Sequence, residues 1–218
     1  MSENNIISFE IEKRLLTQGY NFIAGIDEAG RGALAGPLVV GLVIFSRTYI
    51  YNPSQHLTDN VRDSKKLSPP KRTEALQIIE KAAIYSDFAV ISHDTVDKLN
   101  VNAATEHAIL LLLKKADPVP DIIIMDGNFK FKFGIPYHSI IKGDEKSFTI
   151  ASGSIAAKVN RDKLMKQYDK KYPGYSFSKN MGYGTREHLE AISRKGPSEI
   201  HRKSYKPVSE LYNLLAPA

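Results

Sequence analysis

The sequence predicts an α/β fold, in which a mixed five-stranded sheet is flanked by helices and followed by a helical C-terminal part. Three observations indicate this fold class. Five short apolar segments have the length and composition of strands, and the first two are separated by a connection too short for a helix. After residue 141, the sequence shows only helix-like patterns and loops.

The first two strands are predicted at residues 22–27 and 38–45. The glycines and Pro37 between them leave no room for a crossover helix, so we expect these strands to pair antiparallel. Gly30 and Gly32 after a strand also fit the start of a dinucleotide-binding loop, but that motif requires a helix next. A strand follows here instead, which argues against a dinucleotide site.

Turn and capping signals define the remaining elements. Ser68 followed by two prolines favours a helix start, because a hydroxyl can cap the helix and proline needs no backbone donor there. Asp94 is expected to cap another helix, which ends before Pro118. Helices are predicted at residues 10–18, 69–85, 94–113, 147–168, 185–194 and 209–215, and further strands at 88–92, 122–125 and 137–141.

The composition is typical of a globular protein with a modest basic excess. The 218 residues include 30 Lys and Arg against 24 Asp and Glu, a net charge of +6. This excess is compatible with a polyanionic partner but does not identify one. The absence of cysteine excludes disulfides and thiolate zinc sites. The sequence shows no signal-peptide pattern and no apolar run near the roughly 20 residues that span a bilayer, so we expect a cytoplasmic protein with no membrane partner.

Carboxylates recur where predicted strands end. Asp27 and Glu28 end the first strand, Asp126 ends the fourth, and Asp144 follows the fifth. Four carboxylates brought together cannot all ionise unless cations neutralise them. Oxygen ligands suit Mg²⁺ or Mn²⁺, and a pair of such ions suits displacement at phosphorus.

Arg31 directly follows the first acidic segment and lies between Gly30 and Gly32. Its planar guanidinium suits phosphate, and the flanking glycines allow the backbone to approach a ligand closely. Carboxylates that can bind a metal ion therefore lie beside an arginine that can bind a phosphate. This combination indicates metal-dependent chemistry on a phosphodiester. For this segment alone, a solvated turn with a chance acidic pair is the alternative.

A set of separated motifs resembles, in order, the ribonuclease HII family, the prokaryotic type 2 ribonucleases H. The motifs are IDEAGRG with the following AGPLVV, DSKKL from Asp63, MDG around Asp126, KGD ending at Asp144, SIAAKVNRD from Ser154, GYGTREH from Gly182 and HRKSY from His201. Each is weak evidence alone, but the ordered set extends over nearly the whole chain. The resemblance implies a ribonuclease H-like fold, with a catalytic core over residues 1–170 and a helical, substrate-binding extension over residues 171–218 packed on it.

The resemblance also implies the reaction. It assigns catalysis and metal binding to Asp27, Glu28, Asp126 and Asp144, which would hold two divalent ions, Mn²⁺ or Mg²⁺. The implied activity is cleavage of RNA in RNA/DNA hybrids and nicking of duplex DNA on the 5′ side of embedded ribonucleotides. The products would carry 5′-phosphate and 3′-hydroxyl ends, and a monomer is expected. Glu145, directly after Asp144, is an extra acid that takes part in the metal site or competes for it.

Substrate contacts are implied for further residues. Gly30, Arg31 and Gly32 match a loop that reads the ribose 2′-hydroxyl, the group that distinguishes RNA from DNA, largely through backbone groups. Tyr183 matches a tyrosine that stacks on the sugar following the ribonucleotide. Expected phosphate contacts are Ser64, Lys65 and Lys66, while Lys158 and Arg161 either face the nucleic acid or pair with Asp162. A basic stretch suited to clamping a nucleic-acid backbone comprises Arg186, His201, Arg202, Lys203 and Lys206.

Two other functions remain open at this point. A non-catalytic nucleic-acid-binding protein could use the same basic face, and another nuclease of the same fold could use the same metal site on a different substrate. Four acids repel a polyanion unless metal is bound, which argues against the first. The Gly30–Gly32 loop together with Tyr183, specific to the type 2 pattern, argues against the second.

Overall fold

Residues 7–61 and 67–215 are described by the computed structural model, and they form five strands and ten helices. The strands are β1 (Ile23–Ala29), β2 (Leu38–Ile44), β3 (Tyr85–Ile91), β4 (Ile122–Asp126) and β5 (Tyr137–Ile140). The helices are α1 (Glu10–Thr17), α2 (Arg47–Tyr51), α3 (Gln55–Val61), α4 (Pro69–Ala82), α5 (His93–Leu99), α6 (Val101–Lys115), α7 (Phe148–Lys171), α8 (Phe177–Asn180), α9 (Arg186–Lys195) and α10 (Val208–Leu215). A 3₁₀ turn covers Gly143–Glu145.

All five strands belong to one mixed sheet with the order β3-β2-β1-β4-β5. β2 pairs antiparallel with β1 and β3, whereas β4 pairs parallel with β1 and β5. The predicted fold class and the antiparallel pairing of the first two strands are therefore confirmed. Because β1 and β4 run parallel, their C-terminal ends meet at the same edge of the sheet.

Helix α7 lies unusually close to β1 and β2 because glycines line the contact. A Cβ atom on Gly153 of α7 would lie 2.9 Å from the carbonyl oxygen of Gly25 and 3.2 Å from that of Gly41. A Cβ on Gly25 would lie 2.3 Å from the backbone of Thr149. The glycines of both partners thus allow α7 to pack directly on the strand that carries Asp27.

The predicted helix at 94–113 is wrong in one respect, because two helices occupy this region. Asn100 adopts a left-handed conformation with φ of 64° and breaks the helix. Its side chain accepts hydrogen bonds from the backbone of Asn102 and Ala103, and so caps α6. Ser92 rather than Asp94 caps α5, accepting a hydrogen bond from the N–H of Thr95. The short helices α2, α3 and α8 were not predicted.

Apolar side chains form a core on each face of the sheet and a further cluster near the C-terminal end. The C-terminal cluster joins Met165 of α7 to Phe177 of α8 and Ile192 of α9. It also includes Leu34 and Ala35 from the loop after β1, so the C-terminal helices pack directly against this loop. Within the described ranges, no helix has the length and apolar character needed to cross a membrane.

Candidate active site

Neighbouring parallel strands bring the first and second acidic segments together. Ile26 of β1 pairs with Met125 of β4, so Asp27 and Asp126 follow paired residues at the same edge of the sheet. Gly143 in the 3₁₀ turn donates its backbone N–H to Asp126 Oδ1 across 2.6 Å. This bond places the turn, and with it the buried Asp144, directly beside Asp126.

Burial and neighbouring acidic charges raise the pKa of Asp27 and of Glu28. Burial raises the pKa of Asp27 well above its usual range, and the nearby charges of Glu28 and Asp126 raise it further. Burial also raises the pKa of Glu28 to about 7; Arg31 acts against this rise and Asp126 adds to it. The three carboxylates are therefore close enough to interact, and Asp27 and Glu28 are too poorly solvated to carry full charge without a counter-ion.

The donor set at this edge fits a hard divalent cation. In the described ranges, no three His, Asp or Glu side chains are already arranged as a metal cluster. However, Glu28 Oε2 is buried and has no hydrogen-bond partner among the described residues. A cation coordinated by carboxylate oxygens would remove the repulsion that raises the pKa of Asp27 and Glu28. The residues present therefore suit a metal whose binding draws their carboxylates together.

The loop after β1 joins this acidic edge to Tyr183. Gly30 has a φ of 91°, and its backbone N–H donates a hydrogen bond to the hydroxyl of Tyr183 across 3.2 Å. A Cβ atom at Gly30 would lie 1.9 Å from Nε of Arg161, so only glycine fits without displacing neighbours. Tyr183 is 37% exposed, which leaves part of its ring available to a ligand.

The side chain of Arg31 extends over the acidic edge. Its Nη1 atom lies 3.8 Å from Glu28 Oε1 and 3.3 Å from the hydroxyl of Thr105. Its Nη2 atom donates to the side-chain oxygen of Asn102, and its guanidinium lies 4.8 Å from the ring centre of Phe129. Arg31 is thus held between the acidic edge and helix α6, where its charge offsets that of Glu28.

Arg161 is fully buried and does not present its guanidinium to solvent. It donates hydrogen bonds to the carbonyl oxygens of Ala35, Pro37 and Met181, and its guanidinium lies 5.3 Å from the ring centre of Tyr183. Burial lowers the pKa of Arg161 to about 10. The predicted alternatives, a nucleic-acid contact or a pair with Asp162, are both replaced by a role in holding the loop after β1.

A second buried arginine, Arg202, supports the same loop from the other side. It donates to the carbonyl oxygen of Arg31 across 2.9 Å and to that of Gly36 across 3.1 and 3.2 Å. The hydroxyl of Tyr205 also donates to the carbonyl of Arg31. The expectation that Arg202 and His201 belong to an exposed basic clamp is wrong, because both side chains are fully buried. The sequence gives no signal for this burial, since arginine is rarely buried without a carboxylate partner.

The remaining predicted residues fall into four groups. Lys158 pairs with Asp162 across 2.7 Å, as one of the two alternatives for this residue expected. Arg186 and Lys206 are exposed and pair with Glu190 and Glu210. Ser64, Lys65 and Lys66 lie outside the described residues. The side chain of Glu145 is 41% exposed and lies 3.8 Å from Lys142.

The sheet topology, with acids at the end of its central strands, defines the class: the protein has the ribonuclease H fold. A crystal structure of ribonuclease H2 from Pyrococcus horikoshii OT3 matches with a TM-score of 0.75 and 22% identity, over 88% of this chain and 98% of that one. The Bst-RNase HIII structure in complex with Mn²⁺ matches with a TM-score of 0.64 and 16% identity, over 89% of this chain and 70% of that one.

More specifically, the chain belongs to the ribonuclease HII family, whose model, described as Ribonuclease HII, matches residues 24–208. A ribonuclease HII from Caldicellulosiruptor saccharolyticus is 45% identical over 197 residues, which cover 90% of this chain and 93% of the relative. The protein is accordingly an endoribonuclease, a hydrolase of phosphodiester bonds. The resemblance inferred from the ordered motifs is confirmed.

Proposed function

We propose that this endoribonuclease cleaves RNA in RNA/DNA hybrids and nicks duplex DNA on the 5′ side of embedded ribonucleotides, leaving 5′-phosphate and 3′-hydroxyl ends. The observation that carries the proposal is the proximity of Asp27, Glu28 and Asp126 at one sheet edge, where the charge of Asp126 raises the pKa of both other acids. Uncompensated, these acids would repel a nucleic acid, whereas with divalent cations they become a hydrolytic site.

Asp27, Glu28, Asp126 and Asp144 are the proposed metal ligands. When bound, two divalent ions, Mn²⁺ or Mg²⁺, would supply an activated water and stabilise the leaving 3′-oxygen. The protein contributes rigid placement: Asp27 is anchored in β1 between two paired strands, and the Gly143 N–H bond fixes Asp126. The low polarity around Asp27 strengthens every electrostatic interaction in the site.

The proposed substrate contacts lie beside this metal site. Gly30, Arg31 and Gly32 present backbone groups to the ribose 2′-hydroxyl, and Tyr183 offers its ring to the following sugar. The hydrogen bond between Gly30 and Tyr183 supports this pairing of roles, because it holds the loop and the ring at a fixed separation. The partly exposed ammonium of Lys158 is a candidate for a phosphate contact once it leaves Asp162. Ser64, Lys65 and Lys66 remain proposed phosphate contacts on the sequence pattern alone.

We also propose that residues 171–218 serve as a substrate-binding extension on a catalytic core of residues 1–170. The support is the contact of this C-terminal part with the loop after β1. Leu34 donates its backbone N–H to the carbonyl of Gly182 across 2.8 Å, and Arg202 donates its backbone N–H to the carbonyl of Leu34. The extension therefore carries Tyr183 and also holds the loop that would face it.

The test uses a labelled RNA/DNA hybrid with Mg²⁺, Mn²⁺ or EDTA, and Asp126→Asn as the matched variant. The asparagine side-chain oxygen can still accept the Gly143 N–H, so the fold and hybrid binding should persist while the rate falls by orders of magnitude. We expect metal-dependent RNA cleavage with 5′-phosphate ends. Absence of cleavage with either ion, despite intact binding, would favour the non-catalytic alternative, and near-normal turnover of Asp126→Asn would remove that residue from the site.

A further inference from the structure

Two histidine side chains are buried beneath Tyr183 and contact each other directly. His188 lies on α9 and His201 lies before α10, and both are fully buried. Their Nε2 atoms are 3.1 Å apart. His188 Nδ1 lies 2.9 Å from the carbonyl oxygen of Tyr183, and His201 Nδ1 lies 2.8 Å from the backbone nitrogen of Ser198. A continuous line of hydrogen bonds therefore runs from Ser198 to Tyr183.

The two ends of this line determine which ring nitrogen carries each proton. The carbonyl of Tyr183 can only accept, so His188 carries its proton on Nδ1. The N–H of Ser198 can only donate, so His201 Nδ1 accepts and its proton lies on Nε2. The hydroxyl of Ser198, also 2.8 Å from this nitrogen, then donates to it as well. His201 Nε2 then donates to His188 Nε2, and every donor in the line faces an acceptor. The Ser198 carbonyl, 3.3 Å from His201 Nδ1, already accepts the backbone N–H of His201 across 3.0 Å.

The surroundings keep both rings neutral. Phe177 lies 5.3 Å from His188 and Tyr175 lies 5.2 Å from His201, measured between ring centres. Burial lowers the pKa of both imidazoles, that of His201 to about 4. A proton added to His188 Nε2 would face the N–H of His201 across the 3.1 Å contact. A proton added to His201 Nδ1 would face the backbone N–H of Ser198 across 2.8 Å. The pair is therefore suited to a fixed hydrogen-bonded link rather than to proton transfer.

This link connects the two halves of the proposed substrate-reading site. At one end it holds the carbonyl of Tyr183, which otherwise accepts only from the N–H of Thr185 among the hydrogen bonds of the described residues. At the other end His201 is followed immediately by Arg202, which holds the carbonyls of Arg31 and Gly36. Residues 201–202 therefore help to fix both the position of Tyr183 and that of the loop containing Gly30.

We propose that His188 and His201 are positioning residues that set the height of the Tyr183 ring relative to the Gly30 loop. The proposal rests on the proposed function, in which Tyr183 stacks on a substrate sugar. A positioning role differs from simple packing because it depends on a particular nitrogen of each ring. The side-chain amide of Asn can reproduce the Nδ1–H of His188, whereas the amide of Gln reaches the position of Nε2.

The activity test compares His188→Asn with His188→Gln on two substrates, a DNA duplex with one ribonucleotide and a long RNA/DNA hybrid. We expect His188→Gln, which loses the bond to the Tyr183 carbonyl, to lose about tenfold more kcat/KM on the single ribonucleotide than on the hybrid. His188→Asn keeps that bond but loses the one to His201, so it should lose less activity than His188→Gln without matching the unmodified protein. His107→Asn, an exposed histidine of α6, is the matched control and should leave both activities unchanged. If Gln, the residue closer in size, retains more activity than Asn, or if both substrates lose equally, the positioning role is excluded.

A measurement independent of activity examines the same link. Nitrogen-15 NMR of histidine-labelled protein at neutral pH should show the Nδ1–H tautomer for His188 and the Nε2–H tautomer for His201, with assignments from the His188→Asn spectrum. Any other pair of tautomers, or a charged ring, would overturn the proposal. If the unmodified protein cleaves neither substrate, the proposed function fails, and the NMR result still decides whether the link exists.

Discussion

The hydroxyl of Tyr183 accepts a hydrogen bond from the backbone N–H of Gly30 across 3.2 Å, although the two residues are 153 positions apart in the chain. The guanidinium of Arg161 lies against both, stacked over the tyrosine ring and occupying the space that a side chain at residue 30 would need. The loop after β1 and the GYG segment therefore form one unit. This unit adjoins the carboxylates through Arg31, which contacts Glu28.

Two substitutions of Tyr183 should separate the contribution of its ring to activity from that of its hydroxyl. Tyr183→Phe keeps the stacking face and loses the bond to Gly30, so we expect a loss of about 2- to 10-fold on a single-ribonucleotide duplex. Tyr183→Ala also loses the ring, and stacking contributes roughly 1–3 kcal/mol per base, so its activity should fall by about a further tenfold or more. Steady-state cleavage rates on single-ribonucleotide and hybrid substrates measure both effects. Equal losses on the two substrates would show that Tyr183 has no particular role in recognising a single ribonucleotide.

Gly30 and Gly32 should respond differently to alanine. At Gly30 an added Cβ collides with Arg161 and the φ of 91° is strained for alanine, so Gly30→Ala should lower both the melting temperature and activity. At Gly32 no heavy atom lies within 4 Å of an added Cβ. Gly32→Ala should therefore keep its melting temperature and lose activity if the backbone at this position approaches the substrate. Full activity of Gly32→Ala would show that no such approach occurs.

Arg161 should be required for stability far more than Lys158. Arg161→Lys leaves at least two carbonyls of the loop without donors, so the free energy of unfolding should fall by about 2–4 kcal/mol. Lys158→Gln removes one partly exposed ion pair with Asp162 and should change it by less than about 1 kcal/mol. Urea denaturation followed by circular dichroism measures both. Comparable losses for the two variants would contradict the structural role of Arg161.

Divalent metal should stabilise the protein more as pH rises. Because the pKa of Glu28 is raised from about 4.5 to about 7, the folded protein retains a proton that the unfolded chain releases in this window, and metal-free stability falls as pH increases. A bound cation removes that penalty. The gain in melting temperature on adding Mg²⁺ should therefore be larger near pH 8 than near pH 5, and Glu28→Gln should reduce the difference. His188 and His201 have the opposite effect on the pH dependence of stability, because their lowered pKa makes stability fall as pH drops below about 6.5. This effect is the same with and without Mg²⁺, so it does not change the gain in melting temperature.

The sheet could be predicted largely from local patterns. The glycines and Pro37 after β1 exclude a helix, and the apolar run before Asp126 indicates a buried strand. The break between α5 and α6 could not be predicted, because it depends on Asn100 adopting a left-handed conformation that few residues other than glycine accept.

The candidate site likewise contains residues that the sequence predicts and residues that it does not. The acids stand out because strand ends and glycines mark them, and the motif order identifies the family. The supports of the loop do not stand out: Arg161 and Arg202 resemble surface charges in the sequence, and their burial depends on backbone carbonyls from distant segments. The contact between His188 and His201 likewise arises only when α9 and the segment before α10 pack together.

The most direct test of the account uses a labelled DNA duplex that carries one ribonucleotide, with an all-DNA duplex as control. The purified protein is incubated with Mg²⁺, Mn²⁺ or EDTA, and products are resolved on a denaturing gel. We expect a metal-dependent nick on the 5′ side of the ribonucleotide and no cleavage of the all-DNA duplex. Cleavage of both duplexes, or of neither while a long RNA/DNA hybrid is cleaved, would contradict the claim that Gly30 and Tyr183 together read a single ribonucleotide.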